Sequence, residues 1–150
     1  MWLKRNGGFF MFDIVGYVEN DKAMILDFLD KLDIAITSVV VNNSILENAI
    51  LIKKDGALCG MVSFEQLERA AVVRYFVYDG ATPHDAIIGM FFELYKRAKS
   101  CGVLQLVVAV PNDQVALLFE LLGFIHIKES IPASVANALG TEGRVMGITL

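Results

Sequence analysis

Asn112-Asp-Gln-Val-Ala116-Leu-Leu-Phe119-Glu-Leu-Leu-Gly123-Phe124, following the apolar run Val103-Leu-Gln-Leu-Val-Val-Ala-Val110 and Pro111, decides the fold. A run so nearly continuous in Val, Leu and Ala reads as a central strand covered on both faces. Asn112 is a good helix N-cap, because its side-chain oxygen can accept an amide that the first turn leaves unpaired. The helix runs from Asp113 to Leu122. Gly123 closes it by taking a left-handed conformation that other residues resist, with Phe124 packing behind. Phe124-Ile-His-Ile-Lys128 then reads as the next strand.

Upstream of this unit, Thr82-Pro83-His84-Asp85 is a helix start: threonine at the N-cap, proline at the first helical position, aspartate facing the open amides. Ala86, Ile87, Met90, Phe91, Leu94 and Ala98 fall on one helical face. Lys96, Arg97 and Lys99 suit its C-terminal end, and Cys101-Gly102 stops it. Before it lies a three-strand meander: residues 49–54, the hairpin dipeptide Asp55-Gly56, residues 57–64, a turn marked by Glu65, Glu68 and Arg69, then residues 70–78.

The remaining elements are simpler. Phe12 to Val18 suits a first strand, Asn20 a helix cap, and Ala23, Met24, Leu26, Phe28, Leu29 and Leu32 the helix after it. A second helix is expected over Ser38 to Glu47, against the β-branched run Val39-Val40-Val41. Arg144 to Leu150 is the last strand, and the segment containing Ser134 to Leu139 carries no assignment. The order β-α-α-β-β-β-α-β-α-β-β implies an α/β (α+β) fold. Its central mixed sheet has six to seven strands, with helices on both faces. One domain is expected over residues 11–150. Residues 1–10 are expected to be a loose leader, since Met11 could equally serve as a start.

Composition narrows the function classes. Apolar residues make up 55% and charged residues 20% of the 150 residues, and the net charge is −4. That balance disfavours a general nucleic-acid binder, which displaces counterions with a basic face. The apolar excess fits a covered sheet or a surface for self-association, so a homodimer is considered. Cys59 and Cys101 lack CxxC spacing and read as thiols of a reducing compartment. His84 and His126 have no neighbours at metal-ligand spacing, so no metal is expected. No apolar run reaches the ~18 residues of a spanning helix. Asp13 and Gly16 interrupt what would be a signal sequence. A cytoplasmic location without membrane attachment is expected.

Together, the element order, the Asn112–Phe124 segment and the junction Phe76-Val-Tyr-Asp-Gly-Ala-Thr-Pro-His-Asp-Ala-Ile-Ile88 resemble the GNAT superfamily of acyl-CoA N-acyltransferases. The likeness covers roughly residues 12–150. It implies a three-layer fold, acetyl-CoA as co-substrate, and a small amine or amino-acid-like acceptor. It further implies that Phe76, Val77 and Tyr78 hold the pantetheine arm by backbone contacts. The junction at Thr82, His84, Asp85, Ala86 and Ile87 would hold the pyrophosphate at a helix N-terminus, and Asn112 and Phe119 would flank the cofactor.

The junction departs from the family's Q/R-x-x-G-x-G/A pattern: Thr82 stands at the Q/R position, Asp85 at the first glycine and Ile87 at the second. Asp85 sets a carboxylate where phosphate charge is expected, and Ile87 adds bulk. A register shift that lets Gly80-Ala81 supply the turn is the alternative. Phe119 occupies the position of the family's proton-donating tyrosine and has no proton to give. Glu68 is the carboxylate nearest Val72-Val73-Arg74-Tyr75 of the fourth strand, and Tyr78 lies at that strand's end, where a splayed sheet would expose the acyl group, so these two are the candidate catalytic residues. Arg74 is expected to hold an anionic substrate group or to pair with Glu65. Cys59 would act as a nucleophile only beside a base. A non-catalytic module with a degenerate coenzyme A site is the competing reading.

Overall fold

The computed structural model describes residues 2–5, 8–31, 42–128, 131–140 and 144–150, and side chains from Met11 onward within these spans. The chain forms an eight-stranded mixed sheet with helices, an α+β architecture. It divides into two compact units, Met1–Ser63 with Tyr75–Leu94, and Phe64–Arg74 with Tyr95–Leu150.

In the first unit, β1 (Trp2–Arg5) pairs antiparallel with β2 (Gly8–Gly16), so part of the segment expected to be loose takes up strand pairing. β2 pairs with β3 (Ile50–Lys54), and β3 pairs with β4 (Ala57–Leu67). The hairpin closes at Lys54↔Ala57 through Asp55 (φ 48°) and Gly56 (φ 85°). Two consecutive left-handed residues are what a tight hairpin with the correct strand twist requires, which is why Asp-Gly signals it.

α1 (Lys22–Lys31) starts after a 3₁₀ turn, Glu19–Asp21. Asn20 lies inside that turn, and Asp21 makes the capping contact: its carboxylate accepts the Val18 amide at 3.0 Å and the Lys53 ammonium at 2.9 Å. α2 is one turn, Asn43–Leu46, capped by Asn42; the rest of the expected helix at residues 38–41 lies outside the described residues. Ile25, Leu29, Leu46, Ala49, Leu51 and Met61 form the core of this unit, with Tyr75 and Val77 of β5 (Ala70–Tyr78) packed against it.

The second unit holds the other part of β5. Its parallel register with β6 (Gln105–Val110) covers Ala70↔Gln105, Ala71↔Leu106 and Val72↔Val107. β6 pairs antiparallel along its whole length with β8 (Arg144–Thr149), and β7 (Ile125–His126) pairs with β8 on the other side. α3 (His84–Ser100) ends at Gly102 with φ 81°, and α4 (Asp113–Leu121) ends before Gly123 with φ 98°. Residues Ala133–Leu139, unassigned from sequence, form α5, whose Val135 packs on Val72 and Val107.

Candidate functional site

The C-terminal end of β5 and the first turn of α3 lie in the same unit, and their geometry is set by hydrogen bonds to β4. Tyr75 has φ 54°, a left-handed conformation in the middle of a strand. For a bulky non-glycine residue that is a strained backbone, of the kind found where a strand is bent to re-aim its side chains. After it, Phe76 packs edge-on against Phe91 of α3, with centroids 5.0 Å apart, and lies 5.3 Å from the ring of Tyr78. Tyr78 is 36% exposed. Gly60 on β4 leaves room for it, since a Cβ there would sit 3.4 Å from the Tyr78 Cβ and 3.1 Å from Ile52.

Beyond Tyr78 the backbone turns tightly. The Asp79 amide donates to the Cys59 carbonyl at 2.8 Å, and the Asp79 carboxylate accepts the Ala81 amide at 2.8 Å. The Asp79 carbonyl accepts the Thr82 amide at 2.8 Å. The Thr82 hydroxyl, expected to cap α3, instead donates to the Cys59 carbonyl at 3.1 Å, and the residue is buried. The helix is opened by Pro83, whose carbonyl accepts the amides of Ala86 at 3.1 Å and Ile87 at 3.2 Å. Proline itself has no N–H to offer. The amides of Gly80, His84 and Asp85 are left without an acceptor among the described residues.

The side chains sort by depth. Ala86 and Ile87 are fully buried, so Ile87 points into the core and adds no bulk to the solvent face, contrary to the expectation from sequence. His84 and Asp85 are exposed on the first turn.

The other candidates lie in the second unit. Glu68 is exposed in the β4–β5 turn with φ 62°, two residues before β5 begins, whereas Tyr78 is the last residue of that strand. Asn112 caps α4 by accepting the Val115 amide at 3.0 Å, and is exposed. Phe119 is 1% exposed, edge-on to Phe124 at 5.0 Å, so it is a core residue that presents no surface to a ligand. Arg74 pairs with Glu65 at 3.0 Å and donates to the Ala138 carbonyl at 2.6 Å, which resolves its two readings in favour of structure.

The Cys59 thiol donates to the Ile52 carbonyl at 3.4 Å. Burial pushes that thiol up, against the opposing effect of Thr82, so it stays protonated and is no nucleophile. His126 faces Glu120 at 3.5 Å. Among the described residues no group of His, Cys, Asp and Glu is arranged to hold a metal ion, and no helix is long and apolar enough to cross a membrane.

Sequence reasoning missed the left-handed Tyr75, for which a tyrosine gives no signal, and the double use of the Cys59 carbonyl by two residues far along the chain. The Asp79 turn was detectable, because Asp-Gly at 79–80 is the same dipeptide that marks the first hairpin.

No family model and no curated protein matches this sequence. Solved structures do. A GNAT-family acetyltransferase from Staphylococcus aureus Mu50 superposes with a TM-score of 0.70 at 11% identity, over 93% of this chain and 99% of that one. An acetyltransferase from Streptococcus agalactiae 2603 gives 0.66 at 13% identity, over 93% and 98%. N-acetylglutamate synthase from Neisseria gonorrhoeae, complexed with coenzyme A and N-acetyl-glutamate, gives 0.69 at 13% identity, over 93% of this chain and 35% of the larger one. The chain therefore has the GNAT acetyltransferase fold.

Proposed function

We propose that this chain transfers an acetyl group from a pantetheine thioester of the acetyl-CoA type to a small amine or amino-acid-like acceptor. The observation that carries the reading is the solvent-facing end of β5, bent at Tyr75 and running into α3, in a chain with an acetyltransferase fold. The backbone of Phe76–Tyr78 is the natural rail for an extended pantetheine arm, because its amides repeat at strand spacing. Attack of a neutral amine on the thioester carbonyl forms the C–N bond and breaks the C–S bond. The departing sulfur takes one proton and the new ammonium gives one up. Tyr78 is the hydroxyl at this end of the strand and is assigned the proton delivered to sulfur. Glu68 is left out of the mechanism, because it belongs to the turn before β5 and not to the unit that holds Tyr78. Positioning supplies most of the rate, as aligned intramolecular reactions show it can. Two free thiols fit a reducing, cytoplasmic setting.

The test is thiol release from millimolar acetyl-CoA across a panel of amines and amino acids. Amine-dependent release is expected, with kcat falling about 100-fold in Tyr78→Phe. Absence of release with every acceptor overturns the reading. The carboxylates of Asp79 and Asp85 beside the open amides favour one rival, a binding module without turnover. Acetyl-CoA bound but never consumed would establish it.

A further inference from the structure

We infer that this site recognises its donor through the pantetheine arm alone, so that the nucleotide of coenzyme A adds nothing to affinity; the inference rests on the thioester-dependent reading above. A diphosphate needs converging N–H donors, a favourable helix dipole and compensating positive charge. The junction between β5 and α3 has committed most of its N–H donors elsewhere, and a carboxylate already answers its dipole.

The amides of Asp79, Ala81 and Thr82 are bound to the Cys59 carbonyl, the Asp79 carboxylate and the Asp79 carbonyl. Position 83 has no N–H. The amides of Ala86 and Ile87 share the Pro83 carbonyl. Gly80 is left on one side of the Thr82-Pro83 corner, and His84 and Asp85 on the other, so the three open amides do not form a continuous cradle. The dipole is already answered by Asp85, exposed on the first turn, where a carboxylate is favourable.

Charge points the same way. Residues 76–90 contain Asp79 and Asp85 and no lysine or arginine. Arg74, the nearest arginine before them in sequence, is held by Glu65 and the Ala138 carbonyl. Within residues 76–90 a diphosphate meets two carboxylates and one histidine; Lys54 of the neighbouring hairpin acts on Cys59, where the Asp79 carboxylate opposes it. An uncharged pantetheine arm meets only the extended backbone of β5, which does not depend on any of these groups. The donor class this defines is a thioester on a pantetheine arm, whatever the arm is attached to.

Calorimetric titration of the full chain with S-acetylpantetheine and with acetyl-CoA, at 0.05 M and 0.5 M salt on the order of the ranges where screening changes most, tests it. The two ligands are expected to bind within about threefold of each other. Affinity for acetyl-CoA is expected to hold or rise with salt, because screening relieves repulsion. In Asp85→Asn, a surface change, acetyl-CoA is expected to gain about tenfold while S-acetylpantetheine is unchanged. Acetyl-CoA binding tenfold or more tightly than S-acetylpantetheine, and weakening with salt, overturns the inference and leaves the proposed function standing. Binding of neither thioester overturns both.

Discussion

Glu68 has φ 62°, a conformation that strains an L-residue by about 1 kcal/mol or more and that glycine adopts freely. Its side chain is exposed, and its carbonyl, which accepts the Gln66 amide group at 2.9 Å, would survive any substitution. Glu68→Gly is therefore expected to raise stability by about 0.5–1 kcal/mol, the relief of strain exceeding the added freedom of the unfolded chain. Denaturant midpoints measure that gain. The same variant is expected to release thiol from acetyl-CoA at the parent rate, and a hundredfold loss in kcat would return Glu68 to the role of base. Tyr75 offers no such relief, because its ring packs on the core of Ile25, Leu29 and Met61 and glycine would empty that space.

At the scale of elements, the join from β4 into the β5–α3 turn hangs on one carbonyl. Cys59 accepts both the Asp79 amide and the Thr82 hydroxyl. Thr82→Val keeps the volume and removes the buried donor, which is expected to cost about 1–2 kcal/mol, while Thr82→Ser stays close to the parent. Thermal or urea unfolding of the pair decides it; equal losses in both variants would mean the methyl, and not the hydroxyl, matters.

Elements were also the most readable level of the sequence. The hairpin at Asp55-Gly56, the helix stops at Gly102 and Gly123, and the Asn112 cap rest on single-residue chemistry within a few positions of chain, and each is found as read. Thr82 was misread because its hydroxyl has two good partners, a local amide and a distant carbonyl, and only the folded chain decides between them. Phe119 was assigned to a ligand by likeness alone, whereas its apolar ring beside Phe124 already pointed to the core. The open amides of Gly80, His84 and Asp85 were equally hidden, since which donors remain unpaired is known only once every acceptor is in place.

For the molecule as a whole, resistance to acid depends on how its carboxylates are held. Burial alone would push the Asp21 carboxyl up. The Lys53 ammonium and the Val18 amide outweigh it, and the group sits below its ordinary value of 3.8. A carboxyl depressed by folding stabilises the native state above its unfolded value, and the contribution is lost as pH falls from there through the folded value. Asp21→Asn is thus expected to lower stability by about 2 kcal/mol at neutral pH. The gap to the parent should close below 3.8, as the parent's own carboxyl protonates. Urea unfolding of both proteins across that range checks it, and a gap independent of pH would mean that Lys53 contributes packing alone.

β6 pairs along its full length with β8, which lies more than thirty residues later in the chain. A ribosome therefore completes Leu106-Val-Val-Ala-Val110 well before the strand that covers its edge exists. During that interval the nascent chain presents a bare, apolar strand edge with no charge on it, the kind of surface on which chains join one another. The moment of greatest danger for this protein is a matter of timing during its synthesis, ending when Arg144–Thr149 closes the edge.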